Sequence, residues 1–340
     1  EPENKLIEVK EDAFLGLDVN KTEVFVGEGI CVSLSFYVAT DNPAPMKYTD
    51  LNKQVENINK QLKPAGCWEE NFNISEVPEA PKVTLNGKSY YQNKFYEAVF
   101  FPLNDKSITF PTVELKMLVK RKINPRDNIN DSKVGEWETV FFKSTPKMVQ
   151  VKPLPTHPLR EQVAVGKFFL QEGVPYRTIK TGEGVSYYFK IVGEGNIAAL
   201  HEPQSNNTNS QLLVYSPILQ TSISRNTCAV TGSAVFDYPI VPQESGTYSL
   251  RNHFEWIFFN LTTQRYDTLR PQSQLVVSGE SYKGAIGDFK THPLYKKMNQ
   301  KIPFFSQEEK KQLLNWFNIS SVVMVFLLFV SFLKRKRKEH

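Results

Sequence analysis

Two short stretches carry residue types that could handle a phosphate. Gly27-Glu28-Gly29 and Gly182-Glu183-Gly184 each set a carboxylate between glycines. A phosphate loop would continue into Gly-Lys-Ser/Thr and a helix. Both stretches run instead into a strand pattern, so no helix N-terminus is offered to an anion, and turn chemistry accounts for them. Gly193-Glu194-Gly195-Asn196 reads likewise as a loop between strands. Glu69 and Glu70 are adjacent and fall on opposite faces of an extended chain, which argues against a general acid/base pair. The five histidines, His157, His201, His253, His292 and His340, are scattered without metal-ligand spacing. Asp127-Asn128-Ile129-Asn130-Asp131 lacks the carboxylate spacing of a calcium loop and reads as a solvated hairpin tip. No serine nucleophile elbow and no cysteine–histidine arrangement is visible. No catalytic, cofactor-binding or metal-binding residue is nominated, no cofactor is expected, and the expectation is a protein that is not an enzyme.

Three cysteines, Cys31, Cys67 and Cys228, are too few and too odd in number for a disulfide scaffold. Cys31 sits in an apolar alternating run and reads as a small core residue, with a Cys31–Cys67 bridge as the alternative. The net charge is +5, but most of it sits in the C-terminal tail. The rest is nearly neutral and gives no electrostatic case for nucleic acid.

Elements that would position any site are mostly strands. Residues 30–38 alternate with period two, and 94–101, 112–119, 137–142 and 147–152 do the same. Asn86-Gly87 predicts a type I′ hairpin between Val83 and Tyr90. Lys152-Pro153-Leu154-Pro155-Thr156-His157-Pro158 predicts a stiff extended linker. A second set of strands follows at 168–170, 185–192, 212–215, 227–240, 247–259 and 274–277. The two sets repeat one plan. Gly27-Glu28-Gly29 answers to Gly182-Glu183-Gly184, and Phe100-Phe101-Pro102 answers to Ile240-Val241-Pro242. About fifteen extra residues fall in the middle of the first set, within the turn-rich stretch 40–85. The fold expected is all-β: two immunoglobulin-like β-sandwich domains in tandem. The immunoglobulin-type disulfide is missing, since Cys31 has no partner near 94–101. The boundaries are 1–152, a linker at 153–165, 166–279, and a stalk at 280–305.

The C-terminus predicts a membrane anchor. Residues 313–333 hold no charge and as a helix would reach about 30 Å, the thickness of a bilayer core. The helix is expected over 306–333, opened by a Ser306/Glu309 capping box. Trp316 and Phe317 stand at an interface, and Phe326, Leu327 and Leu333 lie in the apolar span. Lys334, Arg335, Lys336, Arg337 and Lys338, in the tail 334–340, supply the cytoplasmic topology signal. The preceding residues would then lie outside the cytoplasm, and a chain starting at Glu1 fits removal of a signal peptide.

Several phrases, in order, resemble the BatD family of oxygen-tolerance (aerotolerance) proteins. They are Val26-Gly27-Glu28, Gly66-Cys67-Trp68, Asn86-Gly87-Lys88 with Tyr90, and Phe101-Pro102. Val151-Lys152-Pro153-Leu154-Pro155, Val165-Gly166-Lys167-Phe168, Gly193-Glu194-Gly195-Asn196, Val214-Tyr215-Ser216-Pro217 and Pro242 to Tyr248 complete the set. The resemblance implies an inner-membrane, single-pass protein of Gram-negative type with periplasmic N-terminal domains. Its implied role is a non-catalytic scaffold in a stress-related assembly. The implied partners are membrane-bound von Willebrand A-domain proteins and TPR proteins, with a MoxR-type AAA ATPase reached indirectly. Membrane lipid would meet only the C-terminal helix. Glu28, Trp68 and Glu194 are the expected partner contacts. The alternative is a eukaryotic type I surface receptor or adhesion protein, glycosylated at Asn-x-Ser/Thr triplets beginning at Asn20, Asn73, Asn206 and Asn260; the triplet at Asn318 falls inside the membrane run. An enzyme hidden in these folds is a third class.

Overall fold

The computed structural model describes residues 7–74, 80–123, 137–205 and 211–281. Glu1–Ser281 forms one compact unit. The expected stalk from residue 282 onward, the anchor residues Trp316, Phe317, Phe326, Leu327 and Leu333, and the basic block Lys334 to Lys338 all lie outside the described residues. Among the described residues no helix is long and apolar enough to cross a membrane.

Among its described residues this unit is all-β apart from one α-helix and short 3-10 turns. Its first set of strands builds a sheet in the order Ala13–Val19, Ile30–Ala39, Lys88–Pro102, Cys67–Asn71, with Lys82–Leu85 also on Lys88–Pro102. One face packs on two three-stranded sheets, one containing Glu114–Lys120 and the other Lys147–Lys152. Leu34, Phe36, Phe100, Phe110, Leu115 and Val149 fill the space between. Each such side chain, fully buried, contributes about 1.5–3 kcal/mol. The second set centres on an eight-stranded sheet whose middle runs Phe254–Asn260, Ala164–Gly173, Val185–Gly195, Ala229–Pro242. It packs on Thr178–Lys180, Gln274–Ser278 and Gly246–Ser249 around Tyr187, Phe236, Trp256 and Leu275.

The repeat read from sequence is physical. Gly27 has φ +80 and Gly182 φ +76, the left-handed region that glycine enters without a Cβ penalty. Gly27 N–H donates to the Pro102 carbonyl at 2.8 Å, and Gly182 N–H donates to that of Pro242 at 2.8 Å. Glu28 accepts from Phe25 N–H at 2.9 Å, and Glu183 from Lys180 N–H at 3.0 Å. Each carboxylate therefore closes its own turn. Asn86 (φ +49) and Gly87 (φ +81) make the expected hairpin turn between Lys82–Leu85 and Lys88–Pro102.

Other expectations change. Gly193-Glu194-Gly195 is not a loop but the end of the Val185–Gly195 strand. It pairs with another phrase of the resemblance: Gly166 lies opposite Gly195, Lys167 opposite Glu194 and Phe168 opposite Gly193. A Cβ on Gly193 would stand 2.0 Å from the Lys167 carbonyl oxygen and 2.7 Å from the Phe168 ring. Glycine is there to let Phe168 lie flat on its neighbour and meet Trp256 edge-on at 5.3 Å.

Leu51–Gln61, in the stretch read as turns, is an α-helix. Leu51, Val55, Ile58 and Leu62 recur at helical spacing, and all four pack on the first core. The expected strand 247–259 is two strands, because Gly246–Ser249 and Phe254–Asn260 belong to different sheets. A 3-10 turn at Leu250–Asn252 makes the corner. Leu154 of the linker is buried with Val165 and Phe259, so these prolines lead into a packed segment rather than a free span. The Ala164–Gly173 strand begins inside the expected linker.

Candidate functional site

The outer face of the first sheet is not solvated where it carries Cys31, Val99 and Phe101. All three are buried in the core of the second set. What reaches them is a hairpin, Ile218–Asn226 and Ala229–Pro242, joined by the two-residue turn Thr227-Cys228. Both turn residues are left-handed, at φ +45 and +64. A two-residue hairpin turn favours Asn-Gly there, and a β-branched residue in that region costs on the order of 1–3 kcal/mol. Surrounding contacts must hold it.

They are numerous. Cys228 is disulfide-bonded to Cys31 across 197 residues of sequence, with Cα atoms 5.2 Å apart. Cys228 N–H donates to Glu97 Oε1 at 3.1 Å, and Glu97 Oε2 takes Lys94 Nζ at 2.9 Å. Asn20 Oδ1 accepts from Cys31 N–H at 2.9 Å. Arg225, two residues before the turn, reaches across to Glu70: Nε and Nη2 meet Glu70 Oε2 at 2.8 and 2.6 Å. The other Glu70 oxygen accepts Trp68 Nε1–H at 2.8 Å. Glu70 is only 4% exposed, so its charge is tolerated because both oxygens are bonded. A second contact lies at the linker, where Phe25 and Phe259 meet edge-on at 5.1 Å and Tyr266 O–H donates to the Pro155 carbonyl at 2.6 Å.

This corrects the cysteine reading. Cys31 is neither a free core thiol nor the partner of Cys67. Cys31 pairs with Val99 and Cys67 with Pro102, on opposite sides of the Lys88–Pro102 strand. Two strand spacings separate them by about 10 Å, and their three-residue offset points them to opposite sheet faces, so no bridge can form. Burial pushes the Cys67 thiol up to about 11, so it is not an activated nucleophile. Cys31, Cys228 and Glu97 hold ligand atoms within 4.8 Å of one another. With the sulfurs bonded to each other, neither offers a thiolate to a metal.

The expected contact residues separate in role. Glu28 spends its carboxylate on Phe25 N–H and on Lys21 Nζ at 2.8 Å. Trp68 is 48% exposed and stands on the outer face with Glu70. Glu194 is exposed, opposite Lys167 and Thr231. With Lys21 and Cys228 it lines a cavity of about 40 Å³ at the junction, room for about one water. On its other side it borders an open depression of about 650 Å³ with Phe169, Lys190 and Ser233. The sequence reading missed Glu97 and Arg225, and gave Glu70 and Cys228 no role at a junction. One signal pointed to them: a cysteine in the two-residue gap between 218–226 and 229–242, where hairpin chemistry asks for glycine.

No family model matches the chain, and no curated protein matches it. Among solved structures it is similar to a type II cohesin dyad from the adaptor ScaA scaffoldin of Acetivibrio cellulolyticus. That match has 10% identity and a TM-score of 0.18, over 79% of this chain and 98% of that one.

Proposed function

We propose that this chain is a BatD-like, membrane-anchored binding arm outside the cytoplasm, acting as a non-catalytic scaffold. Its two strand sets act as tandem immunoglobulin-like domains bounded near residue 152, and the segment 313–333 anchors them to the inner membrane. Its partners are membrane-bound von Willebrand A-domain proteins and TPR proteins, through which a MoxR-type ATPase is reached. The observation that carries this reading is the Cys31–Cys228 cross-link. Disulfides persist in oxidising compartments such as the periplasm, and this one ties the two strand sets together. Beside it stand a half-exposed Trp68 and the Arg225 guanidinium, residue types that dominate recognition surfaces. The pairing of Val165-Gly166-Lys167-Phe168 with Gly193-Glu194-Gly195 supports the resemblance, because two of its phrases serve one packing need.

Chemical crosslinking in native membranes, followed by identification of the adducts, tests the reading. Recovery of von Willebrand A-domain proteins is expected, and their consistent absence would sink it. A glycosylated surface receptor remains the second reading because Asn73 is exposed. Asn260 speaks against it at that position, since its amide nitrogen donates to Asp267 Oδ2 at 2.6 Å. The intact mass of the native protein separates the two.

A further inference from the structure

The Ile218–Asn226 strand is a nine-residue sheet edge. Among the described residues its one sheet partner is Ala229–Pro242. Eight of its residues are exposed and the ninth, Ile223, is half-buried against the core. Its register fixes which side chains share a face. Leu219 lies opposite Phe236, Thr221 opposite Ala234 and Ile223 opposite Gly232, on the core side of the sheet. Leu219 is nevertheless 51% exposed, so the apolar inner row runs past the part of the sandwich that covers it. Ile218, Gln220, Ser222 and Ser224 form the outer row. Natural edges are blunted by lysines, prolines or inward charges. This one has no lysine and no proline, and its single charge, Arg225, is neutralised by Glu70.

We propose that this edge pairs with the same edge of a second copy of the chain, antiparallel about a two-fold axis through Ser222. Several features favour a second copy. This register uses the whole strand and keeps inner row against inner row, because residues of the same parity meet. Thr221 then lies opposite Ile223 of the partner's strand in both directions, giving one continuous apolar strip across the axis. Arg225 lies opposite Leu219, so no like charges oppose each other. A self-complementary patch closes on itself as a dimer and uses up this edge in a single pairing. The edge is also continuous with the cross-linked junction, which holds Arg225 and Cys228 and so fixes the strand's end.

The register makes a test sharp. At the axis Ser222 faces Ser222, with Cα atoms about 4.5–5.5 Å apart in an antiparallel pair, within reach of a disulfide. In the full chain carrying Cys67→Ser, Ser222→Cys is expected to give a covalent dimer on mild oxidation. Gln220→Cys, opposite Ser224, is not. Thr221→Lys places a charge in the inner row at an exposed position and is expected to abolish both the Ser222→Cys cross-link and the dimer seen by analytical ultracentrifugation. A chain that stays monomeric at all concentrations would overturn the proposal. So would equal cross-linking from Gln220→Cys, or a dimer indifferent to Thr221→Lys. A monomeric chain whose membrane crosslinks to another protein vanish with Thr221→Lys would assign the edge to that protein and equally overturn the second-copy reading. None of these outcomes depends on finding von Willebrand A-domain partners, so this proposal and the binding-arm reading fail separately.

Discussion

At the residue scale, most charged groups that invited a chemical reading are occupied by the fold. Glu28 and Glu183 cap turns, Glu97 caps the hairpin tip, and Glu70 is shared by Trp68 and Arg225. Single residues should therefore show themselves through stability. Gly193→Ala drives a methyl into the Lys167 carbonyl and is expected to cost at least about 2 kcal/mol, the scale of overpacking a tight core; urea denaturation measures it. His201 stacks on Trp256 at 5.4 Å, and burial pushes its imidazole below the usual 6.5. As pH falls, the unfolded chain takes up this proton first. The stability involved is therefore complete above about pH 6.5 and is lost as pH drops through the lower folded value. Denaturation midpoints should fall across that range, and His201→Gln should flatten the fall. An unchanged slope in that variant would remove His201 from the account.

At the scale of elements, local chemistry was legible and long-range demand was not. Asn86-Gly87 announced its hairpin, and the Gly-Glu turns at 27–28 and 182–183 announced the repeat, because each rests on backbone geometry that neighbouring residues decide. Gly193-Glu194-Gly195 has the same local look and a different cause. It is strand because a distant Phe168 needs the space, and no window of sequence contains that reason. The helix Leu51–Gln61 went unread, although Leu51, Val55, Ile58 and Leu62 stand at helical spacing, because the prolines and glycines around it carried the whole stretch as turns. The hairpin tip gives a prediction of its own. Thr227→Asn puts a residue that tolerates the left-handed region where threonine is strained, and should stabilise the unit by up to about 1 kcal/mol. Thermal unfolding with the disulfide intact checks it; a lower midpoint would mean the threonine side chain makes a contact that outweighs its strain.

At the scale of the whole described unit, the two strand sets are held together by a covalent bond and an ion pair at the hairpin tip and by an aromatic contact near the linker. The cross-link spans 197 residues, and by chain entropy such a loop contributes up to about 5 kcal/mol. Cys31→Ser with Cys228→Ser should lower the chemical denaturation midpoint accordingly. It should also open residues 153–163 to limited proteolysis, since the linker's packing depends on both sets staying docked. Equal midpoints and equal cleavage would show that the Glu70–Arg225 pair and the Phe25–Phe259 contact suffice. Sequence could not have assigned this pairing: three cysteines permit three bridges, and only the register of the Lys88–Pro102 strand rules one out.

The same bond sets an order of events during synthesis. Cys31 emerges nearly two hundred residues ahead of its partner, while Cys67 follows it closely and is the first thiol it could meet. A wrong early bridge is avoided once Lys88–Pro102 pairs with both neighbours, because that strand then stands as a wall between the two sulfurs. Completion of the first sheet is thus a checkpoint on oxidation. A chain meeting an oxidant before residue 102 has emerged would be open to the wrong bridge, and one meeting it afterwards would keep Cys31 available for the hairpin still to come.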